Sequence, residues 1–252
     1  MNMETDPLPN EFTDPRLVAI FDTMNSIDWF QGFYPRLAAR LAPKSIIDIG
    51  CGTGLLTCEL AKAGYQMTGL EPSGALLDLA QRRIEGRGVK WTNCYVDQLG
   101  DTKADLAIMT GHVAQFFLED EKWRKALKTI HDALATDGHL AFESRNPLIP
   151  PFAGWPTSNS HKTVHDPVMG DVEWWFELIE TKGNRVRYKI YDRFVQTGDE
   201  IVTTNELVFR SQAEITQSLQ DAGFFVENIY GDWDSSPLGP TSPEMIFVAR
   251  RS

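Results

Sequence analysis

The sequence predicts an α/β fold, a mostly parallel sheet with helices on both faces and a small antiparallel β insertion after the fifth strand. Three observations carry this. Short β-branched apolar runs alternate with helical patterns between residues 45 and 143, and the first run breaks into alternate glycines just before a helix. Beyond Asn146 the helical period gives way to strand-like runs separated by turn residues.

Taken in order, residues 1–14 are rich in proline and acid and are expected to form a flexible N-terminus, followed by one or two helices from Pro15 to Leu41. Residues 45–49 read as the first strand, Gly50-Cys51-Gly52-Thr53-Gly54 as a tight turn and residues 55–63 as a helix stopped by Gly64. A second run, 67–70, ends in Glu71-Pro72; a third, 89–96, ends in Asp97-Gln98; a fourth, 104–109, opens into Thr110-Gly111-His112. Trp123, Leu127, Ile130 and Leu134 recur at three- and four-residue spacing, predicting a helix over 119–135, and residues 139–143 make the fifth strand. A loop of proline, glycine and aromatics then leads to strands at 173–180, 185–196 and 200–209. Ser211 and Glu214 have the spacing of a capping box for a helix over 211–222, and strands at 224–230 and 244–249 close the chain. The expected organisation is a main domain of residues 15–145 plus 210–252, with 146–209 inserted.

The turn after the first strand is a ligand cradle. Glycine permits positive φ and keeps Cβ atoms out of a ligand's way, while free N–H groups of the next helix face it. A dinucleotide fingerprint needs glycine at the sixth position of G-x-G-x-x-G, but counting from Gly50 that place is Leu55, and from Gly52 it is Thr57. A nicotinamide dinucleotide is therefore disfavoured.

An acidic residue, one spacer and G-x-G-x-G, here Asp48-Ile49-Gly50-Cys51-Gly52-Thr53-Gly54, resembles the first motif of the class I S-adenosylmethionine-dependent methyltransferases. The ordered acidic strand ends extend the resemblance over residues 30–145 and 205–250. It implies a Rossmann-like seven-stranded sheet, S-adenosylmethionine as cofactor and S-adenosylhomocysteine as its product. It further implies that Asp48, Gly50, Cys51, Gly52 and Gly54 form the cradle, and that Glu71, beside Pro72, holds the ribose hydroxyls. Asp97 and Gln98 would meet the adenine, Thr110 and His112 would line the methionine side, and Tyr34 would touch the bound cofactor. As a bare aromatic on an amphipathic helix, Tyr34 equally reads as core.

A sulfonium methyl is already electrophilic, so the protein must chiefly align an acceptor and exclude water. His112 is the candidate general base by position, or else shapes the pocket. Arg145, Asn146, Trp155 and Trp174 are candidates for binding the acceptor at the insertion, against readings of Arg145 as a partner of Glu143 and of the tryptophans as the insertion's own core. His161 and His165 share a metal-like spacing without a third ligand, and no metal is expected.

Composition narrows the partners. A formal charge of −11 over 252 residues repels a phosphate backbone. Arg185, Arg187 and Lys189 alternate as the polar face of a half-exposed strand would. Three cysteines without a C-x-x-C pair suggest neither a disulfide framework nor zinc. No long apolar run and no signal-peptide pattern occur, so a cytoplasmic protein is expected, with no membrane and no nucleic acid among its partners. The expected function is methylation of a small-molecule acceptor by a monomer or homodimer; the alternatives are a catalytically silent cofactor-binding subunit and an RNA-directed enzyme.

Overall fold

The computed structural model describes residues 8–30, 32–149 and 160–252. Three short helices come first, α1 (Pro15–Ala19), α2 (Phe21–Met24) and α3 (Phe33–Leu41). Asp14 starts α1 as an N-cap, its carboxylate accepting from Arg16 N at 2.9 Å with Pro15 in the first helical position. There follow β1 (Ser45–Ile49), α4 (Leu55–Lys62), β2 (Gln66–Leu70), α5 (Gly74–Arg82), β3 (Lys90–Thr92), β4 (Ala104–Met109), α6 (Asp120–Ala133) and β5 (Leu134–Arg145). The insertion supplies β6 (Lys162–Asp166), β7 (Gly170–Lys182), β8 (Arg185–Phe194) and β9 (Glu200–Val208), and α7 (Gln212–Asp221), β10 (Phe224–Tyr230) and β11 (Glu244–Arg251) complete the chain.

The main sheet has seven strands in the order β10-β11-β5-β4-β1-β2-β3. Strands β1 to β5 pair in parallel, whereas β11 runs antiparallel to β5 and β10 antiparallel to β11. Burial on both faces gives the central strands their nearly continuous apolar sequence. On one face Trp123, Leu127 and Ile130 of α6 and Leu219 of α7 pack against Phe142 and Phe247. On the other, Tyr34 and Leu37 of α3 and Leu56 and Leu60 of α4 pack against Ile46, Ile108 and Ile246. The fold is thus the Rossmann-like sheet with an antiparallel insertion that the sequence predicts.

The second sheet, β6-β7-β8-β9, is wholly antiparallel. It is tied to the N-terminal segment by a core of its own, in which Leu17 and Ile20 meet Val172, Phe194 and Ile201. Thr23 Oγ1 also donates to Asp166 at 2.6 Å.

Three sequence expectations change. The third strand ends at Thr92, because Asn93 Nδ2 donates to the carbonyls of Glu71 (2.8 Å) and Pro72 (2.9 Å), and Val96–Gln98 then forms a single 3-10 turn. Strand β6 had no apolar alternation to reveal it; it is an edge strand whose Asp166 closes the following turn by accepting from Val168 N and Met169 N. Residues 8–14, expected to be flexible, pack onto the molecule: Phe12 meets the rings of Phe21 and Phe116, and its carbonyl accepts from Ser73 Oγ.

Candidate active site

At the carboxyl end of β1 the chain turns sharply, and the N–H groups of Gly50 and Cys51 both donate to the carbonyl of Leu70, at 2.8 and 3.0 Å. Gly50 holds φ at +72°, and a Cβ there would sit 2.7 Å from the Val113 side chain. Beneath the turn Asp48 is fully buried; one oxygen accepts from Thr57 Oγ1 at 2.6 Å, the other has no partner, and burial pushes its pKa up to about 6.

Glu71, at the end of β2, faces this turn. One carboxylate oxygen accepts from Gly52 N at 2.9 Å and the other from Ser73 N at 2.8 Å. Each oxygen keeps lone-pair capacity for a further donor. Burial pushes the Glu71 pKa up to about 7, the two backbone donors opposing that shift.

A cavity of about 860 Å³ runs from this cradle along the carboxyl edge of the sheet to the inner face of the insertion. Asp48, Gly50, Cys51, Gly52, Glu71 and Pro72 form its cradle end, Thr110, His112 and Arg145 its middle, and Phe176, Tyr188, Ile190 and Asn205 its far wall. The N-terminal segment covers it, with the ring of Phe21 placed above Gly52.

His112 is held at φ +60°, with its N–H donating to Glu143 Oε1 at 2.7 Å. Its ring Nε2 lies 3.0 Å from Glu244 Oε2. Burial lowers the histidine's pKa, with Arg145 adding to the effect, and burial raises that of Glu244. The ring is therefore neutral at neutral pH, and the pair forms one hydrogen-bonded unit rather than a lone imidazole; position alone left His112 either as a base or as a shaper of the pocket. Arg145 reaches into the same region, with Nη1 donating to Gln115 Oε1 at 2.9 Å.

Several expected site residues stand elsewhere. Gly54 is off the cavity wall; it has φ +77°, and a Cβ there would lie 2.5 Å from Trp91, so its lack of a side chain serves packing between α4 and β3. Asp97 and Gln98 are also off the wall, because the early end of β3 turns them away. Asp97 pairs with Lys125 at 2.9 Å and Gln98 Oε1 accepts from Tyr95 N, leaving Cys94, Tyr95 and Val96 on the cavity.

Tyr34 is a core residue, packed by Phe30, Phe33 and Trp233, and its hydroxyl donates to Glu143 Oε2. It supports the His112 loop from behind. Asn146 is consumed by the main chain, donating to Ser242 O and accepting from Leu148 N. Trp174 stands edge-on behind Phe176, under Lys162, off the cavity wall. Trp155 lies outside the described residues. His161 stacks on Trp175 and His165 pairs with Asp171. The alternating basic face of β8 is neutralised at Arg185 by Glu119 and Glu206 and at Lys189 by Glu177.

Sequence reasoning missed Glu244 and the Glu11–Asn205 pair. Glu244 had a topological signal: β11 is antiparallel to β5, so its first residue reaches the edge where the parallel strands end, opposite Arg145. Glu11 and Asn205 are 194 residues apart and carry no local motif.

With this geometry in hand, a methyltransferase-domain family model matches residues 46–138. The chain is 24% identical over 213 residues to the cypemycin N-terminal methyltransferase of a Streptomyces species, covering 82% of this chain and 83% of that protein. Its fold is similar to the crystal structure of an S-adenosylmethionine-dependent methyltransferase from Clostridium acetobutylicum, with a TM-score of 0.78 and 14% identity over 94% of this chain and 98% of that one. It is also similar to CalS10, an amino pentose methyltransferase from Micromonospora echinaspora with bound S-adenosylmethionine, at a TM-score of 0.67 and 20% identity over 93% and 95% of the two chains. Residues 46–138 thus carry a methyltransferase domain, the fold of the whole chain is that of S-adenosylmethionine-dependent methyltransferases, and together these matches support an enzyme of that kind. Among the described residues no helix is long and apolar enough to cross a membrane.

Proposed function

We propose that this enzyme binds S-adenosylmethionine in the Gly50–Cys51–Gly52 turn and transfers its methyl group to a small molecule held against the inner face of the insertion. The observation that carries the reading is the single cavity joining the Glu71 cradle to Phe176, Tyr188 and Asn205. Its volume of about 860 Å³ lies towards the upper end of ligand pockets, which run about 300–1,000 Å³. That is room for a nucleoside and a modest acceptor together.

The residues suit the cofactor. Glu71 has lone pairs left for two ribose hydroxyls, and Pro72 bounds the same end. Asp48 stiffens the turn from below, while Thr110 and His112 flank the methionine side. When bound, the cofactor supplies an electrophilic methyl, so the chain's own work is alignment and exclusion of water. Phe12 and Phe21 close the cavity over the cradle, and Arg145 and the His112–Glu244 pair stand between the two ends as polar groups for orienting an acceptor.

Carboxylates of Glu11, Glu119, Glu206 and Glu244 on the wall oppose a polyanionic substrate. The acceptors named for the relatives, an amino pentose and the cypemycin N-terminus, agree with an acceptor other than nucleic acid. Calorimetry with S-adenosylhomocysteine tests the cofactor, and a metabolite-extract screen with labelled methyl donor tests the acceptor. Absence of S-adenosylhomocysteine binding, or labelling of RNA instead of small molecules, overturns the reading.

A further inference from the structure

The far wall of the cavity carries a polar atom that the fold itself leaves unsatisfied. Glu11 enters from the N-terminal segment, and its Oε1 accepts from Asn205 Nδ2 at 3.0 Å. That bond fixes the amide's orientation, since only the NH2 group can donate to a carboxylate. Asn205 Oδ1 is therefore the free end. It has no hydrogen-bond partner, although Asn205 is only 2% exposed and lines the cavity.

Among the described residues no lysine, arginine or histidine forms an ion pair with Glu11. The charge that acts on Glu11 is another carboxylate, that of Asp192; the Tyr188 hydroxyl beside it hydrogen-bonds with Asn205, and the Arg145 guanidinium acts on Tyr188. Buried acceptors without donors are costly, because they forfeit their bonds to water and gain none in return. Such groups persist where a ligand completes them.

The position matches the use. Phe12, next to Glu11, is tied through Ser73 to Glu71, so the N-terminal turn that presents Glu11 also braces the ribose end. Phe176 and Ile190 add apolar surface to the same cavity. The open valences of Glu11 and Asn205 are acceptors, and the charge that acts on Glu11 itself is negative.

We propose that Glu11 and Asn205 form the acceptor subsite, and that it takes a small organic cation, an alkylammonium whose N–H groups bond the Glu11 carboxylate and Asn205 Oδ1 while its carbon skeleton lies on Phe176 and Ile190. The inference rests on the reading of this cavity as the acceptor site. Burial, with Asp192 adding to it, pushes the Glu11 pKa up to about 7, and a bound cation opposes both effects.

The test uses the full chain and a matched pair of probes, cyclohexylammonium and cyclohexanol, titrated by calorimetry or ligand-observed NMR at pH 8 with and without S-adenosylhomocysteine. The wild type should prefer the cation by at least about tenfold, the difference expected of one charge-assisted hydrogen bond. Glu11→Gln should reduce that preference to under about threefold while leaving S-adenosylhomocysteine affinity unchanged. Asn205→Leu, which removes the free acceptor, should reduce it as well and gives a second reading should the first variant fold poorly.

Equal binding of the two probes to the wild type, binding of neither, or a preference untouched by both substitutions overturns the inference. Wild type that prefers the cation but does not bind S-adenosylhomocysteine overturns the cofactor reading alone. Intact S-adenosylhomocysteine binding without a cation preference overturns the subsite alone.

Discussion

The two ends of the cavity are built by different means. At the cradle, main-chain groups do most of the shaping: Gly50 N and Cys51 N satisfy Leu70 O, Gly52 N and Ser73 N satisfy Glu71, and side chains are kept out by glycine. At the insertion the wall is side chain throughout, contributed by Phe176, Tyr188 and Asn205 from three strands and Glu11 from the N-terminal turn. A backbone cradle is fixed by local sequence and tolerates little change. A side-chain wall can change its chemistry without altering the fold, and an enzyme family can therefore keep one donor while varying its acceptors.

If the cradle end depends on Glu71 in this way, Glu71→Ala should have the largest effect. Two charge-assisted hydrogen bonds at about 1.5–3 kcal/mol each would be lost, so S-adenosylhomocysteine affinity should fall roughly a hundredfold or more in calorimetry while the fold survives. Unchanged affinity would place the ribose contact elsewhere.

Next in size is Gly54→Ala. Alanine would have to hold φ near +77° with its Cβ 2.5 Å from Trp91 and 3.1 Å from Ala80. Left-handed strain of about 1–2 kcal/mol and overpacking of about 1–3 kcal/mol should both appear in urea denaturation. A neutral result would mean that Trp91 can move aside, and that Gly54 is conformationally dispensable.

A smaller effect concerns pH. Asp48, Glu71 and Glu11 have pKa values raised by burial to about 6, 7 and 7. A carboxyl whose pKa is higher folded than unfolded stabilises the fold most below its unfolded value and loses that contribution as pH rises through the folded one. The ligand-free protein should therefore lose stability between about pH 4.5 and 7.5 from these groups. Glu11→Gln should reduce that loss by about 1 kcal/mol or more, since a tenfold difference in proton affinity between folded and unfolded chains corresponds to about 1.4 kcal/mol. Denaturant titrations of the two proteins at several pH values would show it, and parallel slopes would mean that Glu11 titrates normally.

The smallest effect is expected at Thr203→Val, on the insertion. The Thr203 hydroxyl is buried without a partner, so replacing it by a methyl should leave stability unchanged or raise it by up to about 1 kcal/mol. A loss of that size would reveal a hydrogen bond at this hydroxyl.

Features that depend on local chain geometry could be read from the sequence. Alternate glycines after a β-branched run can make only a few turns, so the cradle turn was legible from spacing, as was the Ser211–Glu214 capping box, while Asp48 and Glu71 were expected there from the family resemblance. Packing settled which side chains turn inward. Gly54 has the sequence signature of a ligand contact but yields its space to Trp91, and Asp97 is turned away to Lys125 by a strand that stops early. Tyr34 became the buried support of Glu143 because α3 packs its aromatic face on the sheet. Glu244 reached the site because β11 runs antiparallel, and Glu11 meets Asn205 because the Leu17–Ile20 core draws the N-terminal segment onto the insertion. Contacts between residues far apart in sequence are set by the burial of apolar surface, which takes no account of chain order, and so they leave no spacing for a reader of the sequence to find.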